Sequence, residues 1–147
     1  MANPASVVPG AIDALTSLGR IVSESCLSPA LLGLIHLRAS QINGCSVCTM
    51  LHLPAARKLG ESDERLFAVA AWRDAPFFSD AERAALALTE AVTCLSNRSD
   101  PVPDDVWREA TKHFDERELG ALVLAIAVTN VWNRLNVATK QVAGQGW

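Results

Sequence analysis

The segment ASQINGCSVCTMLH (residues 39–52) decides how this 147-residue chain reads. It carries an apolar run into Asn43-Gly44, a helix stop, and then restarts with Cys45, Cys48 and His52. If a helix runs through these three positions at about 100° per residue, both sulfurs and the imidazole fall within a sector of roughly 60° on one face. A thiol reacts as its thiolate. The free N–H groups at a helix start and a nearby imidazole that accepts the proton both favour that form. Cys48 and His52 are i, i+4 neighbours, within reach of a direct or water-bridged hydrogen bond. The other cysteine of such a pair can attack an oxidised partner and close a disulfide.

Working outward from this break, every periodic segment reads as helix. Residues 11–25 carry Ile12, Leu15, Leu18 and Val22, with Gly19 weakening the middle. Ser28-Pro29 supplies an N-cap and a first-turn proline for 29–42, which holds Leu31, Leu32, Leu34, Ile35, Ala39 and Ile42. The motif helix starts near Cys45, shows Leu51, Ala55 and Leu59 at helical spacing with Cys48 and His52, and ends at Gly60; Pro54 predicts a kink or a restart just after His52. Ser62 caps a short helix over 63–73, and 74–78 is a loop around Pro76. Ser79 and Glu82 form a capping box that opens a stripe of Ala81, Ala84, Ala85, Leu88, Ala91, Val92 and Leu95. After the polar loop 96–105 comes a helix with Val106, Trp107, Ala110 and Phe114. A last helix, about 116–142, is apolar on nearly all sides from Leu119 to Trp132, which marks it as the central element or an oligomer contact. No alternating pattern of useful length and no repeat appears. The expected fold is all-α, one domain over 1–147 with about six to seven helices.

Composition excludes several classes of function. A net charge of −3 without a Lys/Arg block argues against nucleic acid or an anionic membrane surface as partner. The apolar stretch 121–132 is too short to span a bilayer, so no membrane is expected. Half the chain is apolar, mean hydropathy is +0.18 and only a fifth is charged, which predicts apolar surface buried in a homo-oligomer. Four cysteines, two in a tight pair and with no secretory signal pattern ahead of them, predict a cytoplasmic catalytic dithiol rather than a structural disulfide framework. No phosphate-binding glycine loop or Ser/His/Asp pattern is present.

Other residues have plainer readings. Cys45, Cys48 and His52 would give zinc three ligands, with Cys26, Cys94, His36 or His113 as a fourth. The second close-spaced ligand pair usual for structural zinc is missing, and no metal or cofactor is expected. Cys26 and Cys94 read as core or interface, His113 as a complement to a helix end, Glu82 as a cap and Glu90 as a salt-bridge or interface residue. Trp72, Trp107, Trp132 and Trp147 read as core or interface mass, with Trp132, Asn130 and Asn133 as candidate pocket lining.

The run LRASQINGCSVCTMLH, then ARKLG, then AWRDAPFFSDAERAALALTEAVT and finally VTNVWNRLN resembles the alkylhydroperoxidase-D-like (AhpD-like) branch of the carboxymuconolactone decarboxylase family, in order and spacing, over about residues 10–140. The resemblance implies an all-helical subunit assembling into trimers or hexamers, with peroxide or disulfide chemistry at the cysteine pair. Carried over by position, it gives Cys48 the attack on a small hydroperoxide and Cys45 the resolution to a Cys45–Cys48 disulfide. It gives His52 the proton transfer, and an external dithiol the recharging of the site. Two departures stand out. The family's relay glutamate, twelve residues before the first cysteine, is Gly33 here. His36 one turn later takes its part, a solvent chain does, or peroxidase activity is weak or absent. Pro54 also replaces an ordinary helix former. The alternatives are a lactone enzyme like the family's namesake, against which the retained cysteine pair argues, and a non-enzymatic redox-responsive oligomer.

Overall fold

The computed structural model describes residues 1–97 and 99–144, so Trp147 lies outside the described residues. These fold as eight α-helices: α1 Pro4–Val7, α2 Ala11–Ser23, α3 Pro29–Ile42, α4 Ser46–Lys58, α5 Asp63–Ala68, α6 Asp80–Thr93, α7 Asp104–His113 and α8 Glu116–Ala138. No strand occurs among the described residues. The short α1, capped by Asn3 with Pro4 in its first turn, is additional to the helices expected from periodicity.

Local signals act as read at most helix ends. Ser28, Ser62 and Ser79 accept the backbone N–H three residues on, and Ser79 and Glu82 complete their capping box. Asp115 and Glu118 form a second box ahead of α8. Several boundaries differ from expectation. The fifth helix gives way to a 3-10 turn, Val69–Ala71, and in the segment that follows the Arg83 guanidinium donates to the carbonyls of Trp72, Arg73, Ala75 and Phe78, groups that no helix satisfies there. The sixth ends at Thr93, leaving Leu95 outside the stripe and half-exposed. The last stops at Ala138, where Lys140 turns left-handed (φ 54°) and Lys140 N–H and Gln141 N–H donate to the carbonyls of Val137 and Asn136. This is a Schellman cap with lysine where glycine is usual.

Two helices are central, not one. α3 packs on α4, α6 and α8, and α8 also meets α2, α6 and α7. One apolar cluster, with Leu32, Ile35, Leu88, Leu122 and Ile126, fills the space between α3, α6 and α8. A second, with Leu34, Leu37, Ala56, Leu66, Trp72 and Leu86, lies on the other side of α3. The 23-residue α8 is long and apolar enough to cross a membrane by length and composition, more than the stretch 121–132 suggested, yet it is built into the bundle. Trp72 is buried, whereas Trp107 is 43% exposed and Cys26 is exposed, so neither of the latter is core.

Candidate functional site

The 39–52 segment folds as two helices joined at a left-handed glycine. Gly44 (φ 66°) and Cys45 donate their N–H groups to the carbonyls of Gln41 and Ser40, a Schellman cap that ends α3. Cys45 is at once the last residue of this cap and the N-cap of α4: its Sγ accepts the Cys48 N–H at 3.3 Å. Cys48 therefore sits in the first helical turn. Its sulfur is joined to that of Cys45 in a disulfide with the two Cα atoms 5.4 Å apart.

α4 runs unbroken through Pro54 from Ser46 to Lys58, so the restart expected after His52 does not occur. Pro54 is exposed, and Met50, whose carbonyl loses its helical donor, lies on the wet side as well. The packed face also differs from the one drawn from spacing. Cys48 and Ala56 are buried and His52 and Leu53 partly so, while Leu51, Ala55 and Leu59 are exposed.

Cys48, His52 and Leu51 form one wall of a partly open cavity of about 280 Å³ that is also lined by Gly19 and Val22 of α2, His36 of α3, and Val128, Trp132, Asn133 and Asn136 of α8. Cys45 does not line it. The lining is mostly apolar and holds no Lys, Arg, Asp or Glu. The Cys48 sulfur takes its hydrogen bond from Asn136 Nδ2 (3.3 Å) rather than from His52. His52 instead meets His36, ring centroids 4.7 Å apart. Burial, reinforced by the charge His52 would carry, pushes the His36 pKa down to about 3, and burial lowers that of His52. Both rings are thereby held in the neutral form at pH 7. Gly33, one turn before His36, points its missing side chain at Ala56, where a Cβ would meet the Ala56 Cβ at 3.9 Å.

A buried amide ladder holds α8 against this turn. Asn43 Nδ2 donates to the side-chain oxygens of Asn130 and Asn133, both at 2.9 Å, and Asn133 Nδ2 donates to Ser40 Oγ. Of the residues expected to line a pocket, Trp132 and Asn133 do, while Asn130 is occupied with Asn43, Thr93 and Arg134. Sequence reasoning missed Asn136 and Asn3; for Asn136 alone a signal was available, in the N-x-x-N-x-x-N spacing of 130, 133 and 136 on an apolar helix, and none linked it to Asn3. The remaining candidates are structural. Glu82 binds Arg65 and caps α6, and Glu90 binds Arg38, Arg73 and Trp72 Nε1. His113 lies in the last turn of α7 beside Glu109. Among the described residues no group of three or more His, Cys, Asp or Glu is arranged to hold a metal ion.

Fold and site together define an all-α bundle with a C-x-x-C disulfide at the wall of an apolar, histidine-lined cavity. The sequence model of the carboxymuconolactone decarboxylase family matches residues 9–91, and the chain belongs to that family. It is 33% identical to the uncharacterized protein YdfG of Bacillus subtilis over 90% of this chain and 88% of that one. A crystal structure of a protein of unknown function from Agrobacterium tumefaciens, described as a candidate AhpD antioxidant defence protein, superposes with a TM-score of 0.91 at 33% identity, covering 98% of this chain and 97% of that one. A peroxidase-related protein from Silicibacter sp. TM1040 shares the fold at 23% identity and a TM-score of 0.77, over 88% of this chain and 68% of its own.

Proposed function

We propose that the protein is a thiol-dependent peroxidase in which Cys48 attacks a small hydroperoxide, Cys45 resolves and His52 carries the proton. The observation that carries this reading is that Cys48, and not Cys45, lines the cavity, together with two neutral imidazoles. In the reduced protein the Cys48 thiol gives its proton to His52. The thiolate attacks the terminal peroxide oxygen; the O–O bond breaks, a Cys48 sulfenic acid forms, and the departing alkoxide or hydroxide takes the proton from His52 as alcohol or water. Cys45 then attacks the sulfenic sulfur, its proton leaves with the hydroxyl as water, and the Cys45–Cys48 disulfide closes. An external dithiol returns two electrons and two protons by thiol–disulfide exchange and is itself oxidised to a disulfide.

The contact between His36 and His52 supports His36 as a neutral partner that orients His52 where the family relay has a carboxylate and this chain has Gly33, since a ring with a pKa of about 3 does not hold the proton itself. The apolar lining favours an uncharged substrate, and the exposed apolar side chains Met50, Leu51 and Phe67 fit a homo-oligomer of the kind the family resemblance implies. The test is a thiol count. A hydroperoxide added to the fully reduced protein removes two of its four thiols, and a dithiol restores them. A count that stays at four overturns the reading.

A further inference from the structure

One polar chain runs from the N-terminus of the molecule to the Cys48 sulfur, and its direction is set at the far end. Pro4 has no N–H, so the first free donor of α1 is the backbone N–H of Ala5, which donates to Asn3 Oδ1 at 2.8 Å. A backbone N–H has no other option; the oxygen of the Asn3 amide must face it. That leaves Asn3 Nδ2 toward α8, where it donates to Asn136 Oδ1 at 2.7 Å. With its oxygen thus engaged, Asn136 presents Nδ2 to Cys48 Sγ at 3.3 Å. Reversing the Asn136 amide would set two NH₂ groups against each other, and reversing both amides would set an NH₂ against the Ala5 N–H. All three side chains are out of solvent: Asn3 is 3%, Asn136 2% and Cys48 4% exposed.

We infer that Asn136 is a catalytic residue of the thiol site, donating the hydrogen bond that stabilises the Cys48 thiolate, and that Asn3 is the positioning residue that fixes its direction. The inference rests on the reading of Cys48 as the reacting sulfur. In the disulfide the bond meets a neutral sulfur. On reduction the same sulfur gains a full negative charge, and a buried N–H aimed at it becomes a charge-assisted donor that favours the thiolate. Around the cavity the other titratable groups are Cys45 beside Cys48 and His52 on α4, and His36 on α3. The residues of α2 and α8 that face it, Gly19, Val22, Val128, Thr129, Trp132, Asn133 and Asn136, carry no charge. Asn136 is thus the neutral donor that acts whatever the protonation of the histidines, and Asn3, the cap of α1, becomes part of the site.

The test is the pH dependence of alkylation of the fully reduced chain, read by mass spectrometry at the Cys48 peptide. Asn136→Leu moves the alkylation midpoint of Cys48 up by about one pH unit, a tenfold loss of thiolate below the midpoint. Asn3→Ser keeps an oxygen to cap α1 but loses the amide that holds Asn136, and moves the midpoint in the same direction by less. A residue that only packs would change stability and leave both midpoints where they are. A wild-type midpoint in Asn136→Leu overturns the catalytic role, and one in Asn3→Ser overturns the positioning role. If Asn136→Leu does not fold, as judged by circular dichroism, Asn3→Ser alone decides: a raised midpoint supports the chain and an unchanged one overturns it. Alkylation needs no peroxide, so a wild-type protein inert to hydroperoxides would sink the peroxidase reading without touching this result.

Discussion

His36 of α3 and His52 of α4 meet ring to ring, centroids 4.7 Å apart and planes inclined by 37°. Two imidazoles this close and this well buried resist protonation, the first down to about pH 3. In the unfolded chain both titrate near 6.5. Below that pH the unfolded chain takes up protons that the folded one refuses, so stability rises with pH across the interval and is fully present above about 6.5. We expect the unfolding free energy to fall by several kcal/mol between pH 7 and pH 4 in urea titrations, and the slope to flatten in His36→Gln. A slope identical in wild type and His36→Gln would contradict the assignment.

Gly33 sits in the interior of α3, and a Cβ there meets Ala56 only at ordinary contact distance. Gly33→Ala is expected to stabilise the fold by about 0.5–1 kcal/mol through helix propensity, measured by denaturant midpoint. Gly33→Glu would return a carboxylate one turn from His36 and raise the His36 pKa, visible in its NMR titration. Loss of stability in Gly33→Ala would show that the glycine serves close packing after all.

Gly19 lines the cavity, and a Cβ added to it has nothing within 4 Å. Gly19→Leu should therefore fold and fill the space in front of Cys48. The expected outcome is a large drop in the rate of thiol oxidation by a bulky hydroperoxide, at least tenfold, with hydrogen peroxide nearly unaffected. Equal effects on both oxidants would mean that substrates reach the sulfur by another route.

Glu90 holds Arg38 and Arg73, both at 2.7 Å, and Trp72 Nε1 at 2.8 Å. Burial by itself would raise its pKa, but the bonds from Arg73, Trp72 and Arg38 together hold the carboxyl below its usual range. Glu90→Ala leaves a largely buried Arg38 without its partner and should cost about 2–3 kcal/mol in urea denaturation, with cysteine reactivity unchanged. A loss under half a kcal/mol would show the cluster to be a surface pair in energetic terms.

Much of the fold was legible because its helix ends are written in local chemistry: Ser28-Pro29, Ser79 with Glu82, and the glycines at 44 and 60 each act within one turn. What sequence did not show depends on groups remote along the chain. Arg83 holds the segment between the short fifth helix and α6 by binding four carbonyls up to eleven residues back, and no spacing rule announces that. Lys140 ends the last helix in a conformation that sequence habit assigns to glycine. The site was legible as a set of residues, not as an arrangement. Periodicity placed His52 near Cys48, but the partner it found is His36 from the preceding helix, and the group that reaches the sulfur is an asparagine 88 residues away. Buried amides pair by tertiary geometry, so Asn3 and Asn136 gave no local sign of their joint role.

The identity of the attacking sulfur is tested most directly by adding one equivalent of an organic hydroperoxide to reduced Cys45→Ser and Cys48→Ser and locating any added oxygen by trapping and peptide mass spectrometry. A sulfenic acid at Cys48 in Cys45→Ser, and none at Cys45 in Cys48→Ser, is the expected result. Oxidation at Cys45 with Cys48 absent, or no oxidation in either variant, would contradict it.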